Sequence, residues 1–491
     1  MPDARRAVPA PLWQGQDKRR AAAAAGASGS EGLGGFLRVK VYLENLGCPK
    51  NQVDAEYVLA AVVGGGAEVV ATPAEADALI VNTCAFIEPA RAESIETILE
   101  LAALKKRDAK LFVIGCLAQR FAEELRASLR EAELVLESRD PWQLGQQLRQ
   151  VLGLPGGCAI VREDRHLLSP RHFAYLKLAE GCDNRCAYCT IPLIKGSYVS
   201  RPLQQILSEA ERLAARGVRE LILVAQDTTY YGWDRGERGA LASLVEGLAK
   251  IAGIEWIRIL YAHPAHVDVD MICRLMQIPQ VCRYLDLPIQ HASDRILRSM
   301  GRRTDQRQLR ELVETLRSRV DGIVLRTTVL VGFPGETPED FDQLVEFLTW
   351  ARFERVGVFG YWREPGTRAA RMRGHVPPEV IAERVDTISD LANTLAQEWY
   401  ESQVGRRLKV LVDAHAEEGG SFLGRTEWDA PEIDGVVRLE GAAEAGRFVE
   451  CEIREAAPFE LRGVITGTGV GRGGLAVSVS PSASVAVRHG R

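Results

Sequence analysis

No apolar run in this chain approaches the roughly eighteen uninterrupted residues that a bilayer-crossing helix needs, and the amino-terminal stretch has no apolar core like that of a secretory signal. Membrane association is therefore not expected, and a cytoplasmic protein is. A strong charge of either sign is missing too, with 61 Lys and Arg against 66 Asp and Glu and a formal net charge of -5. Direct nucleic-acid binding is not expected from that balance, since an RNA partner would need a local basic patch. Cysteine is sparse, ten in 491 residues, and lacks the dense pattern of a disulfide scaffold. Such thiols stay reduced and are free for metal binding. With 46% hydrophobic and 26% charged residues, the chain is globular and long enough for several cores, roughly two to four domains.

What is present is a tight group of three cysteines. In GCDNRCAYC, Cys182, Cys186 and Cys189 are separated by three and then two residues. Iron–sulfur clusters are held by cysteine thiolates, normally four, and three leave one iron free for another ligand. Two other readings stay open on spacing alone: a zinc site completed by His166 or His172, and three core cysteines that fall close together.

Residues 1–36 show no apolar periodicity and read as a disordered extension. From 37 to 151, LRVKVYLENLGC, ADALIVNTC and KLFVIGC are β-type runs that each end in a cysteine, Cys48, Cys84 and Cys116, and each is followed by a helical segment. That alternation predicts an open parallel α/β sheet. Its strands' carboxyl ends would gather the three thiols at one edge. Asn45, Lys50, Asn51, Asp54, Asn82 and Gln119 surround them and could orient ligands, although turn and capping roles suit each equally.

Residues 152–172 read as a linker, and Cys158 within it as structural. From 173 to 403 six βα units follow, which fit a partial (β/α)6 TIM-like barrel better than a doubly wound sheet, with polar residues at each strand exit. Those exits carry the cysteine loop, Gln226 and Asp227, His263, Gln290 and His291, then Gly332, Gly335 and Glu336. The glycines permit close backbone approach to a ligand, and the helix after GFPGETPEDF favours anionic groups at its start. A lone His263 or His291 is usually a satisfied structural histidine. Residues 404–468 carry short strands between Gly and Asp turns, a small antiparallel β-barrel. It is acidic, with 8 Lys and Arg against 13 Asp and Glu between Val404 and Thr466, and such a barrel would repel phosphate backbones. Residues 469–491 read as a disordered tail, and Cys273, Cys282 and Cys451 as core.

Together these motifs resemble the radical S-adenosylmethionine enzymes, and from about 37 to 468 their methylthiotransferase branch. NLGCPKN, VNTCAFI, IGCLAQR, PIQHASD and VGFPGET stand in that family's order. AQDTT and GRTEWDAPEIDG look like its RimO subgroup, which methylthiolates the β-carbon of an aspartate in small-subunit ribosomal protein S12, and the barrel resembles the TRAM domain. GYWREPGT departs from the pattern, with Trp362 and Arg363 where a smaller polar stretch is expected.

The resemblance implies two 4Fe-4S clusters. Cys182, Cys186 and Cys189 would hold the one that cleaves S-adenosylmethionine to a 5′-deoxyadenosyl radical, and Cys48, Cys84 and Cys116 the one that carries sulfur. Gln226, Asp227, Gly332, Gly335 and Glu336 are the candidate S-adenosylmethionine contacts. A flavodoxin or ferredoxin would supply electrons. The alternatives are methylthiolation of a transfer RNA adenosine, an iron–sulfur electron carrier, or a zinc-stabilised RNA-binding module.

Overall fold

The computed structural model describes residues 38–155, 164–416 and 420–468. The expected amino-terminal extension, Cys158 and the carboxyl-terminal tail lie outside them.

The amino-terminal unit is a five-stranded parallel sheet of β1 (Lys40–Asn45), β2 (Glu68–Val69), β3 (Ala78–Thr83), β4 (Lys110–Gly115) and β5 (Leu134–Val135), ordered β2-β1-β3-β4-β5. Its strands are apolar on both faces because helices cover both. Val41, Ile80 and Phe112 pack under α1 (Pro49–Gly64) with Val58, Leu59 and Val62, while Leu79, Val81 and Val113 face α2 (Glu88–Leu104) and α3 (Cys116–Ser128). The strand order reverses direction beside β1 and β3, and crevices form at such a point outside the carboxyl ends. Asn45 pairs with Asn82, and Thr83 with Gly115, so the three cysteine-bearing strands end at one level.

The central unit is built on six parallel strands, β6 (Phe173–Lys177), β9 (Glu220–Val224), β10 (Trp256–Ile259), β11 (Val281–Asp286), β12 (Val324–Val331) and β13 (Arg355–Gly360). A small hairpin of β7 (Ala179–Glu180) and β8 (Val199–Ser200) follows β6. The order β13-β12-β11-β10-β9-β6 runs in one direction without reversal, as in a barrel, but β6 and β13 remain edges. This is the open, partial barrel expected of six consecutive units. Alternation along the strands divides the faces. Ala174, Leu176, Leu221, Leu223, Ile257 and Leu325 meet the outer helices, and Phe173, Tyr175, Ile222, Val224, Trp256 and Tyr284 point the other way.

That second face is covered by the carboxyl-terminal unit, a closed barrel of β14 (Arg407–His415), β15 (Phe422–Arg425), β16 (Val436–Glu440), β17 (Phe448–Ala457) and β18 (Glu460–Thr468). Leu408, Val410, Trp428 and Phe448 join the sheet's residues in one core, to which Val53 and Tyr57 of α1 also belong. Cys273, Cys282 and Cys451 are core residues, as expected.

Ion pairs buried between sheet and barrel follow the same boundary. Glu220 accepts from Arg258 Nε (2.8 Å) and from Arg425 Nη1 (2.8 Å), and Arg425 reaches on to Asp413 Oδ2 (2.7 Å), whose Oδ1 lies 2.8 Å from His172 Nε2. Farther along, Arg355 pairs with Asp429 (2.9 Å), and Asp434 accepts from Tyr284 (2.7 Å). The acidity of the barrel is thus partly directed inward. Among its described residues five acids are exposed, Glu432, Glu440, Glu444, Glu450 and Glu455, against five bases, Arg406, Arg407, Arg447, Arg454 and Arg462. Among the described residues the exposed charges of the barrel are thus evenly divided, because composition counts charges without regard to direction.

Removing one partner of a buried pair strands the other charge in a medium that solvates it poorly. Glu220→Ala leaves both Arg258 and Arg425 uncompensated and is expected to cost about 3–5 kcal/mol, read as a lower urea midpoint by far-ultraviolet circular dichroism.

Candidate active site with two sets of three cysteines

The first set stands where three adjacent strands end. Cys48 is the residue before α1, with Pro49 at the first helical position, where a missing N–H costs nothing. Cys84 follows β3, and Cys116 opens α3 directly after β4. Gly47, at φ +93°, lets the first loop close on the second, since a Cβ there would sit 3.0 Å from Cys84 Cβ. Asn51 Nδ2 donates to Leu46 O (2.7 Å) and Thr83 O (3.2 Å), and Asn82 Nδ2 donates to Asn51 O and Asn45 Oδ1 (both 2.8 Å). Asn51 Oδ1 lies 3.8 Å from Cys116 Sγ. Three of the polar residues singled out in the sequence therefore knit the cysteine loops together, whereas Gln119 donates to Ser138 O (2.7 Å). Ser94, fully buried on α2, accepts from Cys84 N (3.0 Å) and donates to Cys84 O (2.9 Å). Sequence reading gave no sign of it, as a serine within a helix carries no pattern.

The second set lies beyond the carboxyl end of β6. Cys182 N donates to Gly196 O (3.1 Å), Cys189 N to Cys186 O (3.1 Å), and Ala187 N to Met300 O (2.8 Å). Asn184 Nδ2 ties the loop to Asp227 Oδ2 at the exit of β9 (2.8 Å), and that oxygen also lies 2.7 Å from His266 Nδ1. Arg302 brings a buried guanidinium to Cys186, with Nη1 3.9 Å from its Sγ. Neither histidine of the zinc alternative reaches this set. His172 precedes β6 and is held by Asp413, so the strand keeps it on the order of 17 Å from the loop. His166 precedes it in the chain, with its N–H on Glu56 O (3.1 Å).

The two sets face each other across the seam between units. Thr190, next to Cys189, donates to the carbonyl of Phe86, two residues past Cys84 (3.0 Å). Lys195, after Cys189, donates to Asp54 of α1 (3.1 Å), and Asp54 also pairs with Lys177. Arg165 joins Glu56 of α1 to Glu209. In the loop GYWREPGT, Trp362 is exposed, whereas Glu364 is buried and binds Arg91, Arg120 (3.2 Å) and the N–H of Glu88 (2.7 Å).

Burial and then the neighbouring groups set the thiol chemistry. Burial pushes Cys116 up to about 12, with Cys48 and Cys84 adding to the rise and Lys195 opposing it. Burial likewise raises Cys182 to about 11 and Cys189 further, and the cysteines of that set reinforce one another. Thiols coupled electrostatically in this way resist simultaneous ionisation until a cation draws them together. Each set has an adjacent buried cation, Lys195 or Arg302, to balance the negative charge that follows. No fourth cysteine among the described residues joins either set, and the donor chemistry fits clusters that take three thiolates and keep one iron open.

The five other candidates differ in what already occupies them. Asp227 is buried and accepts from Asn184 and from Thr229 (2.7 Å). Glu336 accepts from Arg384 (2.6 Å) and Phe333 N (3.0 Å). Gly332, at φ +78°, would bring a Cβ within 2.4 Å of Ile381, and the N–H of Gly335 donates to Gly374 O (2.7 Å). Gln226, half-buried at the end of β9, makes no side-chain hydrogen bond to the described residues. His263 Nδ1 accepts from Ala265 N (3.2 Å), and His291 Nδ1 from Ser293 N (3.0 Å). His291 Nε2, though buried, has no hydrogen-bond partner among the described residues, and the His263 ring converges with Asp227 and His266.

Comparison with known proteins agrees with this division. The family described as Uncharacterized protein family UPF0004 matches residues 40–137, the Radical SAM superfamily 176–348, and the TRAM domain 404–466. A ribosomal protein uS12 methylthiotransferase RimO from Anaeromyxobacter sp. (strain Fw109-5) is 45% identical over 86% of this chain and 92% of its own length. The chain belongs to the RimO family. A second RimO, from Pelotomaculum thermopropionicum, is 44% identical over 87% of this chain and 99% of its own. Among solved structures, the radical S-adenosylmethionine methyltransferase TsrM from Kitasatospora setae overlaps 78% of this chain and 82% of its own, with 16% identity and a TM-score of 0.49. As a RimO methylthiotransferase this chain is a radical S-adenosylmethionine transferase that works with two 4Fe-4S clusters.

Asp340, in the turn after Glu336, offers a pH test of the scaffold. Burial raises its pKa, but hydrogen bonds from Ser293, Thr337 and Arg295 outweigh that and bring it to about 2. A depressed carboxylate stabilises the fold above its unfolded pKa and loses that contribution as pH falls through the folded value. The stability gap between the wild type and Asp340→Asn should therefore be full above pH 4 and close toward pH 2, measured by urea unfolding.

Proposed function

We propose that this chain transfers a methylthio group to the β-carbon of an aspartate in small-subunit ribosomal protein S12, in the cytoplasm, with a flavodoxin or ferredoxin as electron donor. The observation that carries the reading is 45% identity across 92% of a relative named for that protein substrate. No helix among the described residues is long and apolar enough to cross a membrane. Among the described residues the barrel exposes as many bases as acids, which favours neither a protein nor an RNA substrate, so the choice rests on kinship.

In this reading Cys182, Cys186 and Cys189 would hold one cluster and Cys48, Cys84 and Cys116 the other. When bound, these groups and S-adenosylmethionine supply the electron, the 5′-deoxyadenosyl radical and the sulfur. A radical is needed because no side-chain base tuned to neutral pH removes a proton from an unactivated C–H bond. The protein's own part is placement. Asn184 and Asp227 fix the second cysteine loop against β9, Ser94 fixes Cys84, and the Thr190 contact holds the two loops together. Gln226 is the candidate S-adenosylmethionine contact with hydrogen-bonding groups to spare; Asp227, Gly332, Gly335 and Glu336 would act by shaping the strand exits.

After anaerobic reconstitution with reductant and S-adenosylmethionine, mass spectrometry should find the methylthio increment on S12 and none on transfer RNA; the reverse result would establish the RNA activity instead. Cys182→Ala should reduce 5′-deoxyadenosine to background. Cys84→Ala should keep part of that cleavage but form no methylthio product, and product from this variant would remove the first set from the reaction.

A further inference from the structure

Lys50 is a buried cation without a carboxylate partner: among charged groups only the Cys48 thiol and the more distant Asp286 favour its ammonium. It lies in the first turn of α1, two residues after Cys48, and is 8% exposed. Its side chain crosses the seam and sets Nζ 3.3 Å from the centre of the Tyr261 ring. The neighbouring buried lysines at the seam are paired, Lys177 and Lys195 with Asp54 and Glu180. No carboxylate among the described residues stands within ion-pair distance of Lys50. Asp286, on the central side, is engaged by Arg326 Nη1 (3.0 Å) and by Tyr261 N (3.0 Å).

The ring face attracts the ammonium and the Tyr261 hydroxyl serves at most one of its three N–H donors, so the charge has no full complement of acceptors. A buried charge left in that state is costly unless a partner arrives. Tyr261 is itself held in an unusual conformation, φ +61°, by Asp286 on its N–H and by Thr228 N on its carbonyl (3.0 Å). Strain of this kind persists where the surrounding structure over-determines it, and such places are commonly functional.

The position is as telling as the charge. On one side Lys50 shares a helical turn with Cys48. On the other, Tyr261 bonds to Thr228, the neighbour of Asp227, which holds Asn184 between Cys182 and Cys186. The ammonium thus stands at the junction of the two cysteine sets, where a reacting carbon has to be placed.

We propose that Lys50 anchors the side-chain carboxylate of the target residue. This rests on the reading that the substrate is an aspartate of S12. The carboxylate of aspartate is one bond from its β-carbon, so fixing the first fixes the second in reach of both sets. An asparagine offers no charge for Lys50, and a glutamate carries its β-carbon one bond farther away.

The test uses full-length enzyme reconstituted with both clusters, as wild type, Lys50→Met and Lys50→Arg. The substrate is S12 carrying Asp or Asn at the target position. Iron and sulfide per chain and S12-independent 5′-deoxyadenosine formation are measured first, then the Kd for S12 without S-adenosylmethionine, and KM and kcat. Lys50→Met should keep its iron and its uncoupled cleavage while Kd and KM for the Asp substrate rise about thirtyfold or more, the usual effect of stripping a buried charge pair of one partner. Lys50→Arg should recover most of that loss. Wild type should prefer Asp to Asn, and Lys50→Met should not. An unchanged Kd with the preference intact would overturn the assignment, as would loss of iron from Lys50→Met with normal S12 affinity, which would give Lys50 to the cluster. Wild-type enzyme that leaves S12 unmodified would refute the underlying reading before any variant is compared.

Discussion

Two lysines of the central unit converge on one carboxylate of the amino-terminal unit, and the relation between the two cysteine sets depends on it. Asp54 stands on the helix that Cys48 introduces; Lys177 ends the strand before Cys182, and Lys195 ends the short helix after Cys189. The same three side chains therefore fix both thiol groups relative to each other. Because all three are buried, the triad has no solvent to fall back on, and it is rigid for the reason that makes it expensive. Arg165 between Glu56 and Glu209 repeats the arrangement two residues along α1.

What was legible in the sequence was whatever repeats locally. Three apolar runs that each end in a cysteine foretold three neighbouring strands with their thiols level, because parallel strands joined by helices all finish on one side. The six βα units foretold an open barrel in the same way. What was not legible joins residues far apart without a local pattern, such as Glu364 with Arg91, Ser94 with the loop of Cys84, or Arg302 with Cys186. The candidates at the strand exits show the same limit. Their type and place were foreseen, but that Arg384 already engages Glu336, or that Ile381 fills the space beside Gly332, depends on a helix, Pro378–Glu401, far downstream.

The barrel illustrates a different limit. Counting its acids suggested a surface that repels nucleic acid, yet Asp429 and Asp434 face Arg355 and Arg326 of the central sheet, and Asp413 holds His172 before β6. Phe448 and Trp256 stack edge to face, with ring centres 4.8 Å apart, in the core the two units share. The unit is accordingly the inner lining of the sheet, and removing it would bare Phe173, Tyr175 and Trp256.

The sheet of the central unit leaves β6 and β13 unjoined, and the amino-terminal unit touches both ends of that gap. Arg165 links α1 to the carbonyl of Tyr175 on β6 (2.6 Å), while Arg91 and Arg120 hold the loop after β13 through Glu364. One domain thus acts as the missing staves of another's barrel. The unit that bridges this gap also carries Cys48, Cys84 and Cys116, so the piece that completes the barrel wall is the piece that brings the second set of thiols to it.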